Sequence, residues 1–434
     1  MNAAFTPEVA TAVPAPRDAE ADVMLSICIP TYNRGPFLDY LLTDLATNCR
    51  FDFRYEIVVS DNASPDNTTE IVEKHKAAGL PISYFRQSEN KGGYPNMTTA
   101  FMRAVGKYVF YLADDDLIIP EAVADNIHFL MDNPDVRAVY APWEMYDDLN
   151  KVSSGLFYDQ GQDLIVIRPG EEIDLLTLII EKHIFPEVMI YRADALRNII
   201  RETRFCYWAF SYLAVVASQG PVAFRNKPYY RSVTLTPVAP TREQWGVEET
   251  MTNWDTYRGG LEYMVFSLLR QKNMTLNDTT RGAFRDMVDH FVATRMRVAL
   301  RLWMGRRDYL RAYELVARLC HLSPSSLSEL EYMDQLPLLL AAQTLARLAN
   351  AIVGIDRIVM AGVDDGQSLG SLLRDVGLER RILVSPPIKT PTAKILESSL
   401  VFLGDESLRQ SFLDQGYKPG LIISEADIRV TNLL

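Results

Sequence analysis

Four short apolar segments constrain the fold of this chain more than any other feature, and a turn and an amphipathic helical pattern follow each of the first three. The segments span residues 25–30, 55–60, 82–85 and 108–112. Strands that alternate with helices lie mostly parallel in one sheet and are joined by right-handed crossovers. The sequence therefore predicts an α/β domain built on a mostly parallel sheet.

Three consecutive carboxylates, Asp114, Asp115 and Asp116, follow the fourth predicted strand. Open α/β sheets bind ligands in the crevice outside the carboxyl ends of their strands. Adjacent carboxylates repel one another unless a cation lies among them, and hard oxygen ligands favour Mg²⁺ or Mn²⁺ over zinc. An isolated triplet is more simply explained as a solvated acidic turn, so its interpretation depends on the neighbouring motifs.

The composition excludes several classes of protein. A chain of 434 residues with 48% hydrophobic residues is long enough for two or three domains with ordinary cores. The net charge of −12 argues against nucleic-acid binding, because phosphate contacts need clustered Lys and Arg. No apolar run approaches the roughly 18 residues of a membrane span, and the N-terminus does not resemble a signal peptide. Four widely spaced cysteines predict free thiols and a cytoplasmic location.

Four sequence blocks occur in one order ahead of the aspartates, at residues 26–34, 56–64, 89–93 and 104–108. Together with the aspartates they resemble family 2 glycosyltransferases of the GT-A fold, a Rossmann-like fold, over residues 25 to about 235. The resemblance implies transfer of a sugar from a nucleotide-diphosphate donor, with inversion, to a glycan or lipid-linked acceptor in surface polysaccharide or protein glycan synthesis. It also implies Mn²⁺ or Mg²⁺ as a cofactor that neutralises the leaving diphosphate.

The same resemblance assigns a role to each residue of a donor site. The nucleotide-sugar-binding residues that it implies are Pro30, Thr31, Tyr32, Asp61, Asn90, Gly92, Asp114, Asp115 and Arg231, and the metal ligands are Asp116 and Asp114. Structural explanations stay open for single residues: Pro30 can end a strand, Asp61 can cap a turn, Tyr32 can be a core aromatic, and Arg231 can be a structural cation.

The chain departs from the family at a basic residue of the nucleotide loop. The family usually has Arg or Lys just before the loop's asparagine, but here Pro95 precedes Asn96. Lys91 or Arg86 is the candidate to supply positive charge to the diphosphate instead.

A second departure concerns the general base. The family commonly shows a Glu-Asp pair that opens a helix, but the matching positions 208–209 hold Trp and Ala. An inverting transfer still needs a group within about 3 Å of the acceptor hydroxyl to take its proton. The preferred candidate is Glu187, whose predicted strand borders the sugar, and then His183, whose ordinary pKa near 6.5 suits a base. Glu202 and Asp194 are further candidates, and a salt-bridging Glu and a surface His are the structural alternatives.

The change of periodicity along the chain divides it into four predicted segments. These are a disordered tail at 1–22, the GT-A domain at 23–235, an α-helical module at 245–350 and a small C-terminal Rossmann-like α/β domain at 355–434. A Pro- and Thr-containing linker is expected within 233–250.

The two later segments carry weaker functional signals. Six arginines between residues 295 and 311 suggest either peripheral contact with anionic lipid at the inner membrane face or, more commonly for such a pattern, a solvated helix face. Glycines at 362, 366 and 370 do not match the dinucleotide fingerprint, so the last segment is expected to serve docking or homo-oligomer formation.

Two other functions compete with the glycosyltransferase. A nucleotidyltransferase usually has a glycine-rich, basic loop after the first strand. Residues 31–34 do not form such a loop, because they contain no glycine. A catalytically silent sugar-nucleotide-binding scaffold protein agrees with the missing Glu-Asp pair, and donor hydrolysis distinguishes it from an enzyme.

Overall fold

The predicted order of strands and helices is present in the structure, a computed structural model that describes residues 23–197, 199, 205–240, 251–275, 277–323 and 335–429. The predicted tail and the candidate base Glu202 lie outside these residues. The described residues form two compact units. The first holds residues up to 240 and 255–291, and the second holds 251–254 and 292–429.

Strands and helices alternate through the first unit. Its strands are β1 (Leu25–Thr31), β2 (Tyr55–Asp61), β3 (Ile82–Arg86), β4 (Tyr108–Tyr111), β5 (Leu117–Ile118), β6 (Ala138–Tyr140), β7 (Glu144–Asp147), β8 (Val152–Leu156), β9 (Leu164–Ile167), β10 (Met189–Arg192), β11 (Val222–Arg225) and β12 (Tyr230–Leu235). Its helices are α1 (Gly35–Asn48), α2 (Thr68–Ala77), α3 (Gly93–Arg103), α4 (Pro120–Asp132), α5 (Glu172–Glu181), α6 (Ala193–Arg197), α7 (Trp208–Ala217), α8 (Trp254–Gln271) from residue 255 onward, and the part of α9 (Asp278–Gly305) up to residue 291.

An eight-stranded sheet in the order β3-β2-β1-β4-β10-β6-β11-β9 is the centre of this unit. Its first four strands pair in parallel, and β10 runs antiparallel between β4 and β6. A smaller sheet has the order β5-β12-β7-β8. The predicted mostly parallel α/β architecture is confirmed.

Burial explains why β1 and α1 form where they do. Almost every residue of β1 is buried, as expected for a parallel strand covered on both faces. Along α1 the buried leucines are Leu38, Leu41, Leu42 and Leu45, which recur at helical spacing and make one apolar face. A proline in the first turn of α1 fits the start of a helix, where its missing N–H costs nothing.

The second unit contains the remaining helices and a parallel sheet. Its elements are the rest of α9, α10 (Tyr309–Leu322), α11 (Leu336–Ala351), β13 (Arg357–Ala361), α12 (Gly366–Asp375), β14 (Leu383–Ser385), α13 (Ala393–Ser398), β15 (Ser399–Leu403), α14 (Arg409–Asp414), β16 (Ile422–Ser424) and α15 (Glu425–Arg429). The sheet order is β14-β13-β15-β16, with every pair parallel. Helical segments followed by a small Rossmann-like α/β domain are therefore confirmed.

The proposed boundaries of the four segments stay predictions, and residues 255–291, assigned to the helical module, group here with the first unit. The four cysteines are free thiols. Among the helices that the structure describes, none is both long enough and apolar enough to cross a membrane.

Asn96 on α3 joins the helix to two strands. Its side chain is buried and donates to the carbonyls of Thr31, at 3.2 Å, and Ser60, at 2.8 Å. Its oxygen accepts from the Ser60 hydroxyl at 2.7 Å and from the Gln87 amide at 3.0 Å. All four hydrogen-bonding positions of the amide are thus used.

Asn96→Leu should therefore lower the melting temperature by on the order of 5 °C, because the buried donors of Ser60 and Gln87 lose their acceptor. Differential scanning calorimetry of the full chain measures the change. Asn48→Leu, at an exposed asparagine of α1, is the matched control and should shift the transition by no more than about 2 °C. Equal shifts in the two variants would contradict this role of Asn96.

Candidate active site

The loops that follow β1 and β2 are hydrogen-bonded to each other at one edge of the large sheet. The backbone N–H of Asn62 donates to the carbonyl of Thr31 at 3.0 Å. The backbone N–H of Asn33 donates to the hydroxyl of Ser64 at 2.9 Å, and that of Gly35 to the carboxylate of Asp66 at 2.8 Å. Because β1, β2 and β4 are parallel, the aspartates after β4 reach the same edge.

Asp114 connects the loop after β4 to the loop after β1. One of its oxygens accepts from the Thr31 hydroxyl at 2.7 Å, and the other from Nη1 of Arg34 at 2.6 Å. The residue is only 3% exposed. Burial, with the negative charge of Asp115, raises the pKa of Asp114 to about 6, although Arg34 and Thr31 favour the ionised form.

Arg34 also contacts the second aspartate. Its Nη1 lies 3.1 Å from a carboxylate oxygen of Asp115, which is partly exposed. One guanidinium therefore pairs with two of the three carboxylates that the sequence expected to need a cation, and it offsets one of their two charges.

Asp116 points to a different set of partners. Its carboxylate accepts from the Tyr230 hydroxyl at 2.6 Å and from the backbone N–H of Val233 at 2.8 Å, both on β12. Burial and the negative charge of Asp115 raise the pKa of Asp116 to about 8. Ionisation of Asp116 therefore costs free energy, and a cation close to the carboxylate would offset that cost.

The carboxylates at this site fit a hard cation, such as Mg²⁺, that binds together with a phosphate-containing ligand. Within the described ranges, no group of three or more His, Cys, Asp or Glu side chains could hold a metal ion. Mg²⁺, however, is usually held by one or two carboxylates together with substrate phosphates. A carboxylate has about four acceptor positions, and each oxygen of Asp116 accepts one hydrogen bond, so Asp116 retains capacity for a metal.

The residues predicted to contact the nucleoside surround the same edge. Tyr32 is 42% exposed, so it is not a core aromatic, and Pro30 is the penultimate residue of β1. Asp61 is fully buried and caps its own turn by accepting from the backbone N–H of Ser64 at 2.8 Å. Its other oxygen accepts from Tyr84 at 2.8 Å and from Arg86 at 3.2 Å. The turn-capping alternative therefore describes Asp61 in this structure, and its contact with a base stays a prediction.

The predicted nucleotide loop is anchored to the loop after β2. Asn90 accepts from the side chain of Asn62 at 2.8 Å and from the backbone of Gly92 at 2.9 Å. Asn62 in turn accepts from the backbone of Lys91 at 2.9 Å. Gly92 has a φ of 94°, a conformation that favours glycine. Arg86 is engaged by Asp61, so the exposed Lys91 is the better placed of the two proposed cations.

Arg231 has partners on β7. Its Nε donates to Glu144 at 2.7 Å, and its guanidinium lies over the ring of Tyr146, 4.4 Å from the centroid. These contacts agree with the structural alternative that the sequence left open, and contact of Arg231 with the diphosphate stays a prediction.

Glu187 lies next to the aspartates. It precedes β10, whose Ile190 pairs with Phe110 of the antiparallel β4, so Glu187 falls beside the carboxyl end of β4. Its negative charge contributes, after burial and the charges of Asp116 and Asp114, to raising the pKa of Tyr111.

Trp208 occupies the position where the family has its carboxylate pair. It begins α7, and its ring meets that of Tyr111 edge-on, with centroids 6.1 Å apart. An aromatic ring therefore lies beside the end of β4, at the position where the resemblance predicts a carboxylate.

The candidate bases His183 and Asp194 have other partners. The ring of His183 lies 5.0 Å from that of Phe291 and 5.8 Å from that of His290, both on α9. Asp194 forms ion pairs with Arg137 at 3.2 Å and Arg192 at 3.4 Å. The base assignment stays a prediction.

Sequence reasoning missed two residues whose side chains contact the aspartates, Arg34 and Tyr230. A signal existed for the first: three adjacent carboxylates need a counter-ion, and Arg34 is the cation of the turn after β1. No comparable signal identified Tyr230, because its contact depends on β12 pairing with β5.

The chain is similar to several known glycosyltransferases. Abequosyltransferase RfbV of Salmonella typhimurium is 35% identical over 103 residues, which cover 24% of this chain and 31% of that protein. Poly(ribitol-phosphate) beta-N-acetylglucosaminyltransferase TarS of Staphylococcus aureus is 32% identical over 106 residues, which cover 24% of this chain and 18% of that protein. The chain thus matches less than a third of the length of either relative.

A solved structure and a family model complete the comparison. S. aureus TarS 1-349 in complex with UDP-GlcNAc aligns with a TM-score of 0.48 at 17% identity, over 74% of this chain and 85% of that one. The family model described as Glycosyl transferase family 2 matches residues 26–200. The predicted resemblance is confirmed over residues 26–200, which match the model of this family.

Proposed function

We propose that the first unit transfers a sugar from a nucleotide-diphosphate donor to a glycan or lipid-linked acceptor in the synthesis of a surface polysaccharide or protein glycan. The observation that carries this proposal is the convergence of the loops after β1 and β4, where Thr31 and Arg34 hold Asp114. The relatives whose names denote sugar transferases support the reaction class.

In this proposal the loops after β1, β2 and β3 bind the nucleoside. Tyr32 offers an exposed ring as a flat wall, and Gly92 allows a close backbone approach. The buried Asp61 holds the β2 loop in shape and accepts a base N–H only if Tyr84 or Arg86 yields its position.

Asp116 is the residue that would hold Mn²⁺ or Mg²⁺. Both oxygens of Asp114 are engaged by Thr31 and Arg34, which makes Asp114 the weaker of the two predicted ligands. The bound cation would neutralise charge on the leaving diphosphate.

Glu187 is the proposed base because it lies beside the end of β4. The acceptor hydroxyl oxygen forms a bond to the anomeric carbon as the bond from that carbon to the diphosphate breaks, and Glu187 takes the hydroxyl proton. Attack opposite the leaving group inverts the anomeric centre. The charges of Glu187 and of the aspartates both contribute, after burial, to raising the pKa of Tyr111.

A catalytically silent sugar-nucleotide-binding scaffold is the second candidate. The observation that favours it is Trp208, which stands where the family has carboxylates. A silent protein would bind nucleoside diphosphates without hydrolysing any nucleotide sugar, whereas the proposed enzyme hydrolyses its donor slowly.

Asp116→Asn tests the metal site with little change in packing, since an amide can still accept from Val233 and can donate to the hydroxyl of Tyr230. Mn²⁺ should no longer strengthen nucleoside diphosphate binding. Isothermal titration of UDP, GDP and dTDP, with and without Mn²⁺, measures this. Asp132→Asn, at an exposed aspartate of α4, is the control. A full Mn²⁺ effect in Asp116→Asn would refute the metal assignment.

The Mn²⁺ effect should also depend on pH. Because the pKa of Asp116 is raised to about 8, the metal must displace a proton at lower pH. Mn²⁺ affinity in the presence of the nucleotide should rise by up to about tenfold per pH unit between pH 6 and 8, and then level off. Titration across that range measures the slope, and a slope retained in Asp116→Asn would assign the proton to another group.

Glu187→Gln keeps the size of the side chain but removes its basic oxygen. Donor affinity should survive, whereas donor hydrolysis, with water as the acceptor, should fall by roughly 10²- to 10⁴-fold. His183→Asn tests the second candidate, and Glu181→Gln, at an exposed position, is the matched control. Hydrolysis at the wild-type rate in Glu187→Gln would exclude this residue as the base.

A further inference from the structure

Arg34 occupies a position that helix α1 does not explain. It is the N-cap residue of α1, yet its side chain makes no capping hydrogen bond. N-caps are usually Ser, Thr, Asp or Asn, and the positive end of a helix dipole disfavours a cation. The reason for an arginine here must lie outside the helix.

The contacts of Arg34 supply that reason. Its Nη1 lies 2.6 Å from Asp114 and 3.1 Å from Asp115, and its side chain is only 21% exposed. It therefore acts as the counter-ion of two carboxylates. A second cation that approached these two carboxylates would meet its positive charge at short range, which weakens binding of a metal alone.

The guanidinium carbon of Arg34 lies 5.7 Å from the centroid of the Phe37 ring, but most of its N–H donors make no hydrogen bond among the described residues. Both carboxylate contacts involve Nη1, and across the residues that the structure describes Nε and Nη2 donate to no side chain or carbonyl. Arginine carries five N–H donors in a rigid fork. The edge formed by Nε and Nη2 is the edge that can bind two oxygens of a phosphate at once.

We propose that Arg34 couples metal binding to diphosphate binding. Without a donor it pairs with Asp114 and Asp115 and keeps the affinity for a divalent cation low. When a donor binds, Nε and Nη2 of Arg34 donate hydrogen bonds to its diphosphate. The negative charge of the diphosphate then attracts the cation to Asp116. This inference rests on the proposed function, because it assumes a diphosphate ligand at the aspartates.

Two probes that contain neither a nucleobase nor a sugar, Mn²⁺ alone and inorganic pyrophosphate, test the coupling in the full-length protein. Arg34→Gln should bind Mn²⁺ alone about three- to tenfold more tightly, since two carboxylates lose their counter-ion. The same variant should bind inorganic pyrophosphate, in buffer without divalent metal, about tenfold or more weakly, since a charge-assisted bidentate contact is lost. Electron paramagnetic resonance of free Mn²⁺ and isothermal titration of pyrophosphate are the measurements.

The opposite signs of the two effects distinguish the proposal from a structural role. Damage to the fold would lower the affinity for both Mn²⁺ and pyrophosphate, and that result would overturn the proposal. Unchanged affinity for pyrophosphate would overturn it as well. Arg34→Lys keeps the charge without the fork, so it should bind Mn²⁺ like the wild type but pyrophosphate more weakly. Arg50→Gln removes a charge just beyond the other end of α1 and should change neither affinity.

Different binding results would show that this inference is wrong and that the proposed function is wrong. If the wild type binds neither pyrophosphate nor UDP, GDP or dTDP with Mn²⁺, both are wrong. If the wild type binds these ligands and Arg34→Gln binds pyrophosphate equally well, only the role of Arg34 is wrong.

Discussion

The hydrogen bond from Thr31 to Asp114, at 2.7 Å, is the contact on which the candidate site depends. It joins the ends of two neighbouring parallel strands, so the sheet itself fixes the distance between the β1 loop and the aspartates. The β2 loop joins the same arrangement through Asn62, which donates to the carbonyl of Thr31. Sites carried by rigid strands hold their geometry better than sites on loops alone.

The same arrangement carries an electrostatic cost. Burial raises the pKa values of Asp114 and Asp116, so the protein withdraws these carboxylates from water without pairing all of them. Arg34 removes part of the cost at Asp114, but Asp116 receives only hydrogen bonds from β12. Uncompensated charge of this kind is typical of sites that await a ligand, where stability is given up for function.

The sequence predicted the strands and helices around the site in their order along the chain, because buried strands and amphipathic helices leave strong periodic patterns. It also located the aspartates, since their position after β4 follows from that order. It could not show that Asp61 caps its own turn, that Arg231 pairs with Glu144, or that Tyr230 meets Asp116. These contacts depend on register and on strands distant in the chain. The grouping of residues 255–291 with the first unit depends on tertiary packing, which helical periodicity does not reveal.

Anomalous X-ray diffraction from crystals grown with Mn²⁺ and a nucleoside diphosphate would test the central claim most directly. We expect a manganese peak within about 2.1 Å of a carboxylate oxygen of Asp116 and of an oxygen of the diphosphate, with the nucleobase near the loops after β1 and β2. A bound nucleotide whose manganese lies away from Asp116, or a nucleotide bound away from the ends of β1 and β4, would contradict it.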